Sequence, residues 1–599
     1  MTTSNGLPRI AIIGAGPVGL VMAILLRQAG LSPIVYERRS STTQHPQAHL
    51  INTRTAEIFR SIGIYSEVAM AGAPMERIRW VTWFQTLMDR EIGRLAISGT
   101  ATRTKERLRL SPATMLNMGQ NTLEEILLNR LLVLGGDIRF NNSVDHAALQ
   151  EKKCLLRVRN LGTANEPQQS IYDYVLACDG ASSGIRDALD IPMLGPQSLS
   201  RFVSVHFEAN LDRYLRDRQG PISVICGSEV LGGLIGYDMS RQWALVCPIP
   251  KEACIEEYTA DVMRGLISKV IGDPQADFTI KAISSWNMSA QVASAYRKGS
   301  FFLVGDAAHR FPPTGGLGIN TGIQDAHNLA WKLVAVAQGW ATPGLLNSYE
   351  TERRPIAQRN TVQSARNALR LVEINKTLGI EIPTSAGPLG EVAPLAGLTP
   401  LRPTTDLGIN GPDAASMAKR REVKKVIEAQ REHFDYLGID LGFSYTNGAL
   451  VPDNTPARAI ASHIYKPSTA PGGRFPHAWV GLGKRHLSTL DLCPTNSFTL
   501  FAGPSAQSWA HAAHEQARKF GIPMGVVNLG GINGIHLPGD DGGIDIADKG
   551  AVLVRPDGHV AWRSTGVLSG SCADEIIQNV FNQLLLSCNT LTREQGQTL

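Results

Sequence analysis

The stretch that most constrains the fold is RIAIIGAGPVGLVMAILLRQAG, from Arg9 to Gly30. Ile10 to Ile13 reads as a buried strand, and an apolar helix runs on to Leu26. Between them Gly14, Gly16 and Gly19 form G-x-G-x-x-G, and Pro17 is counted with them as a candidate cofactor-binding residue. A second short strand, SPIVYERR, ends at Glu37 and Arg38, both candidate cofactor-binding residues. This order demands a parallel sheet with a crossover helix. Gly14 permits the tight turn, Gly16 lets a pyrophosphate approach the backbone, and Gly19 lets the helix pack on the strand. The helix start offers free N–H groups and a positive dipole end to phosphate. Glu37 lies about twenty residues on, where an acid binds ribose hydroxyls. Its charge disfavours a 2′-phosphate, so the expected dinucleotide is FAD or NAD rather than NADP.

A second stretch, GDAAHRFPPTGGLGINTGIQDAHNLAWKL, follows the apolar run Phe301 to Val304. Asp306 stands just past the end of a strand, the edge where open α/β sheets bind ligands. A Pro/Gly loop leads to a helix near Gly318, with Ile319, Ile323, Ala326, Leu329, Ala330, Leu333 and Val334 on one face. A helix end aimed at a ligand stabilises negative charge. The unit reads as a flavin site: Asp306 on a polyol chain, the loop along a flat ring, and the helix end supporting the anionic reduced ring.

The rest of the chain narrows the class. Its 599 residues carry a formal charge of +5 with no basic block, which argues against a nucleic-acid partner. Eight cysteines are scattered without a C-x-x-C pair or zinc spacing, so no metal site is expected and the protein reads as cytoplasmic. The apolar run Ile10–Leu26 imitates a membrane segment, but its glycines fit a nucleotide turn, and no membrane association is expected.

Three motifs, GAGPVG at Gly14–Gly19, CDGASSGIR at Cys178–Arg186 and GDAAHRFPPTGGLGIN at Gly305–Asn320, stand in this order. Over roughly the first 380 residues the chain resembles the class A FAD-dependent aromatic hydroxylases, which include para-hydroxybenzoate and phenol hydroxylases. The resemblance implies an α/β fold: a Rossmann-like FAD-binding domain at 1–190 and 286–380, with an inserted mixed β-sheet substrate domain at 191–285. It implies that Asp306 bonds the ribityl chain and that Pro312 to Asn320, including Pro313, Gly316, Gly318 and Ile319, surround the isoalloxazine. Asp179 and Arg186 are implied near the phosphates and the nicotinamide route. Gln120 matches a glutamine that contacts FAD, Arg54 belongs to a segment that passes the flavin, and Gln47 stands where some relatives have a phosphate-contacting arginine. NADPH or NADH is implied as a transient reductant, since no second nicotinamide cradle follows.

After Pro355 the chain reads as helical to Leu378; residues 381–445 read as a Pro/Gly/Thr-rich linker and a basic, solvated helix. From 446 to 599 the strand–helix–strand order is similar to the thioredoxin-like tail of phenol and 2,4-dichlorophenol hydroxylases. Cys493 is a single thiol there, so a structural or homodimerising part is expected rather than a redox one. The family implies attack of an FAD C4a-hydroperoxide, formed with O2, on a small aromatic substrate ortho to a hydroxyl. A Baeyer–Villiger-type or epoxidising reaction in natural-product tailoring is the alternative. A base should remove the phenol proton; His49 and His206 are the candidates, and Tyr237, Arg241, Trp243 and Pro312 are candidate pocket walls. Buried core histidines and sheet packing are the plain alternatives for these residues.

Overall fold

A computed structural model describes residues 6–97, 101–163, 165–227, 230–380, 407–456, 460–482, 485–530, 535, 544–564 and 572–586. Most of the expected linker passage, and Cys588, lie outside the described residues.

The first layer is a six-stranded sheet. Its order is Arg297–Lys298, Phe301–Leu303, Tyr174–Ala177, Ile10–Ile13, Ile34–Tyr36 and Asp137–Arg139. Every pairing is parallel except that of the edge strand Arg297–Lys298. All four residues of Ile10–Ile13 are buried, as a central parallel strand covered on both faces requires. Helix Pro17–Gln28 packs along helix Leu317–Ala337, which joins the two glycine-rich motifs physically.

The second layer is a seven-stranded sheet ordered Thr279–Met288, Ser200–Glu208, Gln242–Ile249, Leu231–Gly236, Ile222–Cys226, Trp80–Phe84 and Gly93–Ala96. Trp80–Phe84 and Gly93–Ala96 come from the first 190 residues, so the expected first block is interrupted by an excursion into the substrate sheet. Strand alternation sets its two faces. Val203, Val205, Phe207, Trp243 and Leu245 enter a core shared with Met263 and Ile267. Val423 and Ile427 of the basic helix Ala414–Ala429 complete it, while Arg421, Lys424 and Lys425 of that helix are exposed.

Helix Ser348–Leu378 begins before Pro355 and carries it internally. The expectation of a helix starting after the proline is corrected. Pro355 is the eighth residue of the helix, so its missing N–H removes the hydrogen bond that would reach the Thr351 carbonyl.

The C-terminal sheet has the order Met524–Asn528, Phe498–Ala502, Ala551–Val554 and Val560–Ser564. The first pair is parallel across helix Gln507–Phe520; the other pairs are antiparallel. Phe498 meets Trp331 of helix Leu317–Ala337 edge to face at 5.8 Å, inside one shared core. No helix among the described residues is long and apolar enough to cross a membrane.

Candidate active site

The first cradle follows from backbone geometry. Gly14 has φ +101°, and a Cβ there would lie 2.4 Å from the Cys178 carbonyl oxygen. A Cβ on Gly19 would lie 2.0 Å from the Gly14 carbonyl oxygen, so strand and helix approach only as glycines. Gly16 faces open space and starts a helix with Pro17 at its first turn and no side-chain cap, leaving its N–H groups free. Glu37 is buried beneath this turn. Its Oε2 accepts from Ala15 N at 2.8 Å, and its Oε1 accepts from Arg39 N and Nε at 2.9 and 3.1 Å. Burial opposes its charge, but these bonds outweigh it and hold the carboxyl below its ordinary value. Arg38 is exposed; its neighbour Arg39 makes the contacts.

Gln120 starts helix Gln120–Val133 and donates to Glu124 Oε1 at 2.9 Å, while Glu124 Oε2 accepts from Thr43 N at 2.7 Å. The pair pins the loop that holds Gln47, itself exposed. In the second motif Arg186 is buried and donates to the carbonyls of Ala181 and Ala307 at 3.1 and 3.3 Å, tying the second motif to the third. Asp179 Oδ2 accepts from Ile185 N at 3.2 Å, while its Oδ1 is buried without a partner. Burial raises its carboxyl.

Asp306 stands exposed in the short turn Gly305–Ala307. Enclosure by protein raises its carboxyl, opposed by His309 and Arg310. Beneath it Asp325 accepts from Gly305 N at 3.3 Å, from His309 Nε2 at 2.8 Å and from Arg353 Nε at 2.7 Å. His309 stacks on Phe311 at 4.6 Å. In the loop beyond, Pro312 is buried and Pro313 exposed, and Thr314 donates to the Ser364 carbonyl at 2.7 Å. Gly318 faces open space, with Ile319 half-buried beside it. Asn320 is fully buried; it donates to the carbonyls of Gly316 and Leu50 at 2.6 and 2.9 Å and accepts from Asn52 N at 2.9 Å. It thereby clamps the strand Leu50–Ile51 to the third motif.

His49, His206 and Tyr237 come together. The Tyr237 ring meets His49 edge-on at 5.9 Å and His206 edge-on at 6.3 Å. His49 Nδ1 and Asn117 Oδ1 are 2.6 Å apart, and Asn117 Nδ2 donates to the carbonyls of Gly236 and Tyr237 at 2.8 and 2.7 Å. His206 Nε2 bonds Gln242 Oε1, and Gln242 Nε2 donates to Glu208 at 2.9 Å. Burial lowers both imidazoles, so each is neutral at neutral pH, and burial raises the Tyr237 phenol well above its ordinary value.

Three expected residues lie elsewhere. Trp243 is 1% exposed and donates its Nε1–H to the Ala209 carbonyl at 3.0 Å, on the core face of the sheet. His206 pairs with Ala244 across the strands, so Trp243, one residue on, points to the opposite face. Arg241 is exposed in the turn before that strand. Arg54 is buried and donates to Glu57 at 2.9 Å and to the Asp557 carbonyl at 2.6 Å, which turns its guanidinium toward the C-terminal hairpin. Sequence reasoning missed Arg39, Asn117, Asp325 and Arg353. The available signal for Asp325 was an acid among apolar residues in GIQDAHNLAWKL; Asn117 left none.

The residues present fit a dinucleotide with a flavin. Gly16, Gly180 and Gly318 leave open space, the first helix start is uncapped, and Asp179 Oδ1 is orphaned. The fold and these loops define a flavoprotein of the dinucleotide-binding α/β class. A profile for the FAD binding domain matches residues 8–364, and one for the aromatic-ring hydroxylase C-terminal region matches residues 468–583. The chain is 31% identical to 2,4-dichlorophenol 6-monooxygenase of Cupriavidus pinatubonensis, over 94% of each chain. It is 32% identical to a putative polyketide hydroxylase of Streptomyces coelicolor, over 93% of each. The crystal structure of the flavin-dependent monooxygenase PieE with FAD and substrate superposes with a TM-score of 0.86 at 30% identity, covering 96% of this chain and 98% of that one. The chain belongs to the FAD-dependent aromatic-ring hydroxylases. It is a flavoprotein monooxygenase with FAD as its cofactor.

Proposed function

We propose that this protein hydroxylates a phenolic ring ortho to its hydroxyl, using O2 and electrons from NADPH or NADH. The observation that carries the reading is the neutral His49–Tyr237–His206 cluster beside the strand that Asn320 ties to the flavin loop. When bound, FAD supplies the electrons and the activation of oxygen; the chain's own residues do the rest. The uncapped helix start at Gly16 takes the pyrophosphate, with Glu37 holding the turn. Asp306 accepts from ribityl hydroxyls, and the start of helix Leu317–Ala337 supports negative charge on the ring. The seven-stranded sheet roofs the ring and excludes water.

His49 takes the phenol proton, because a phenolate carries more electron density on its ortho carbon than the phenol does. Leu50, next in the chain, packs against Gly316 of the flavin loop, which ties the His49 segment to that loop. His206 lies beyond Tyr237, where Gln242, Glu208 and Lys281 lead to the surface. The name of the Cupriavidus relative supports the position, since carbon 6 of a 2,4-dichlorophenol is ortho to the hydroxyl.

The C-terminal unit is structural. Its order of strands and helices supports a thioredoxin-like reading, and Cys493 is buried beside Thr489 with its thiol pushed up to about 12 by burial.

The test is a screen of phenols for stimulated NAD(P)H oxidation, with product identified by mass and counted per NAD(P)H. A ring-retaining product one oxygen heavier is expected. An ester or an epoxide overturns the hydroxylation.

A further inference from the structure

We infer that Asn117 is a positioning residue that holds His49 as the Nδ1–H tautomer and so leaves Nε2 as the proton acceptor. The inference rests on the proposed role of His49 and names the group that makes that role available. Asn117 is fully buried in the short strand Leu116–Asn117, which pairs with Leu50–Ile51 next to His49. One atom of its amide lies 2.8 Å from the Gly236 carbonyl oxygen and 2.7 Å from the Tyr237 carbonyl oxygen. Carbonyl oxygens only accept, so that atom is the NH2 nitrogen and both its hydrogens are used. The other amide atom is therefore the oxygen, and it accepts from His49 at 2.6 Å. His49 Nδ1 must carry the hydrogen. A neutral imidazole has one N–H, so Nε2 holds a lone pair. Nδ1 is the only ring atom of His49 with a hydrogen bond among the described residues.

The neighbouring histidine is set the other way. Gln242 Nε2 donates to the Glu208 carboxylate, so its oxygen faces His206 and His206 Nε2 carries the hydrogen. Two backbone carbonyls of the roof strand Leu231–Gly236 and the residue after it thus dictate which nitrogen of His49 is basic. In the reverse tautomer Nδ1 and the Asn117 oxygen would be two acceptors in contact at a buried site, and Nε2 would present a hydrogen to the substrate. Among the described residues, the titratable groups around His49 are Tyr237 across its ring, His206 beyond, and His45 near His206; none is a carboxylate.

The holoenzyme labelled with 15N-histidine, observed in long-range proton–nitrogen spectra at neutral pH, reads the tautomer. The His49 signals are those absent from His49→Gln. A protonated Nδ1 with an unprotonated Nε2 is expected. A protonated Nε2 overturns the inference, and needs no variant of Asn117 to do so. Asn117→Asp supplies the second readout. A carboxylate beside the imidazole raises its pKa by about one unit or more, so the acid limb of product per NAD(P)H moves to higher pH by that amount. A lower profile with an unmoved limb means a merely structural Asn117 and also overturns it. If His49→Gln hydroxylates with unchanged coupling while the wild-type tautomer is as expected, the base assignment fails and the tautomer assignment stands.

Discussion

Arg555 and Glu352 form a fully buried, two-pronged ion pair between the C-terminal hairpin and the helix Ser348–Leu378, with both N–O distances at 2.9 Å. Lys332 and Asp557 extend it, and Asn328 donates to Glu352 at 2.6 Å. A second buried pair, Arg474 with Glu57, joins the C-terminal part of the chain to the helix Thr53–Ser61. The tail is therefore fastened by charges that water cannot replace. Removing Arg555 strips Glu352 of its two-pronged partner, leaving it Lys332 and Asn328, and takes the arginine from Asp557; breaking a buried pair in this way costs about 3–5 kcal/mol. Arg555→Met should lower the melting temperature and bring unfolding of the tail below that of the rest. An unchanged melting curve would show the pair to be idle.

The same network sets an acid limit on stability. Burial opposes the charge on Glu352, but Arg555 and Lys332 overcome it and hold the carboxyl at about 2. A group whose folded pKa lies below its unfolded value of about 4.3 contributes stability that is complete above the unfolded value. That contribution is lost as pH falls toward the folded one. The melting temperature should therefore drop between about pH 4.3 and about pH 2. The deficit of Glu352→Gln relative to wild type, large at pH 6, should shrink across that window. A deficit that stays constant with pH contradicts the linkage.

Asp306 carries the flavin prediction. Asp306 is exposed, and Asp325 with Arg353 fixes the turn below it. A charge-assisted bond to a ribityl hydroxyl is worth about 1.5–3 kcal/mol, so Asp306→Ala should bind FAD about 10- to 150-fold more weakly. Flavin absorbance per chain after gel filtration measures it. Full retention of FAD would remove Asp306 from the site.

The parts legible in the sequence are those in which backbone geometry selects the residue. Gly14 and Gly19 are glycines because a Cβ would strike Cys178 and Gly14 itself, and so the first cradle announces itself. The positioning groups do not. Arg353 reaches Asp325 from 28 residues away, and Arg555 reaches Glu352 from 203. Such pairs are written in tertiary packing, and any helix could show the same letters. The face that Trp243 takes is hidden in the sequence for another reason. An aromatic beside a roof strand fits either face, and only the register of Ala244 against His206 decides which.

Cys493 should be inert. It is 8% exposed, its thiol lies 3.6 Å from the Thr489 carbonyl oxygen, and burial holds it at about 12. The thiolate is the reactive form, and little of it exists at neutral pH. Cys493→Ser should leave turnover within about twofold, measured as product formed under saturating phenol. A large loss with the fold intact would assign the thiol a part in the reaction.

The two histidines make separable predictions about coupling. Removing a positioned base costs about 10²–10⁴-fold in the step that it assists. Flavin reduction needs no phenol proton, so His49→Gln should still consume NAD(P)H while product falls and released hydrogen peroxide rises. Raising the pH toward the phenol's own pKa should partly restore product, because phenolate from solution then replaces the lost transfer. His206 sits behind Tyr237 with its Nε2–H held by Gln242, so His206→Gln should weaken coupling far less and respond little to pH. The measurement is product and peroxide per NAD(P)H for both variants from neutral to alkaline pH. A larger, pH-rescued loss in His206→Gln would move the base to His206. Unchanged coupling in both would leave the two imidazoles as packing, with the proton taken by another group.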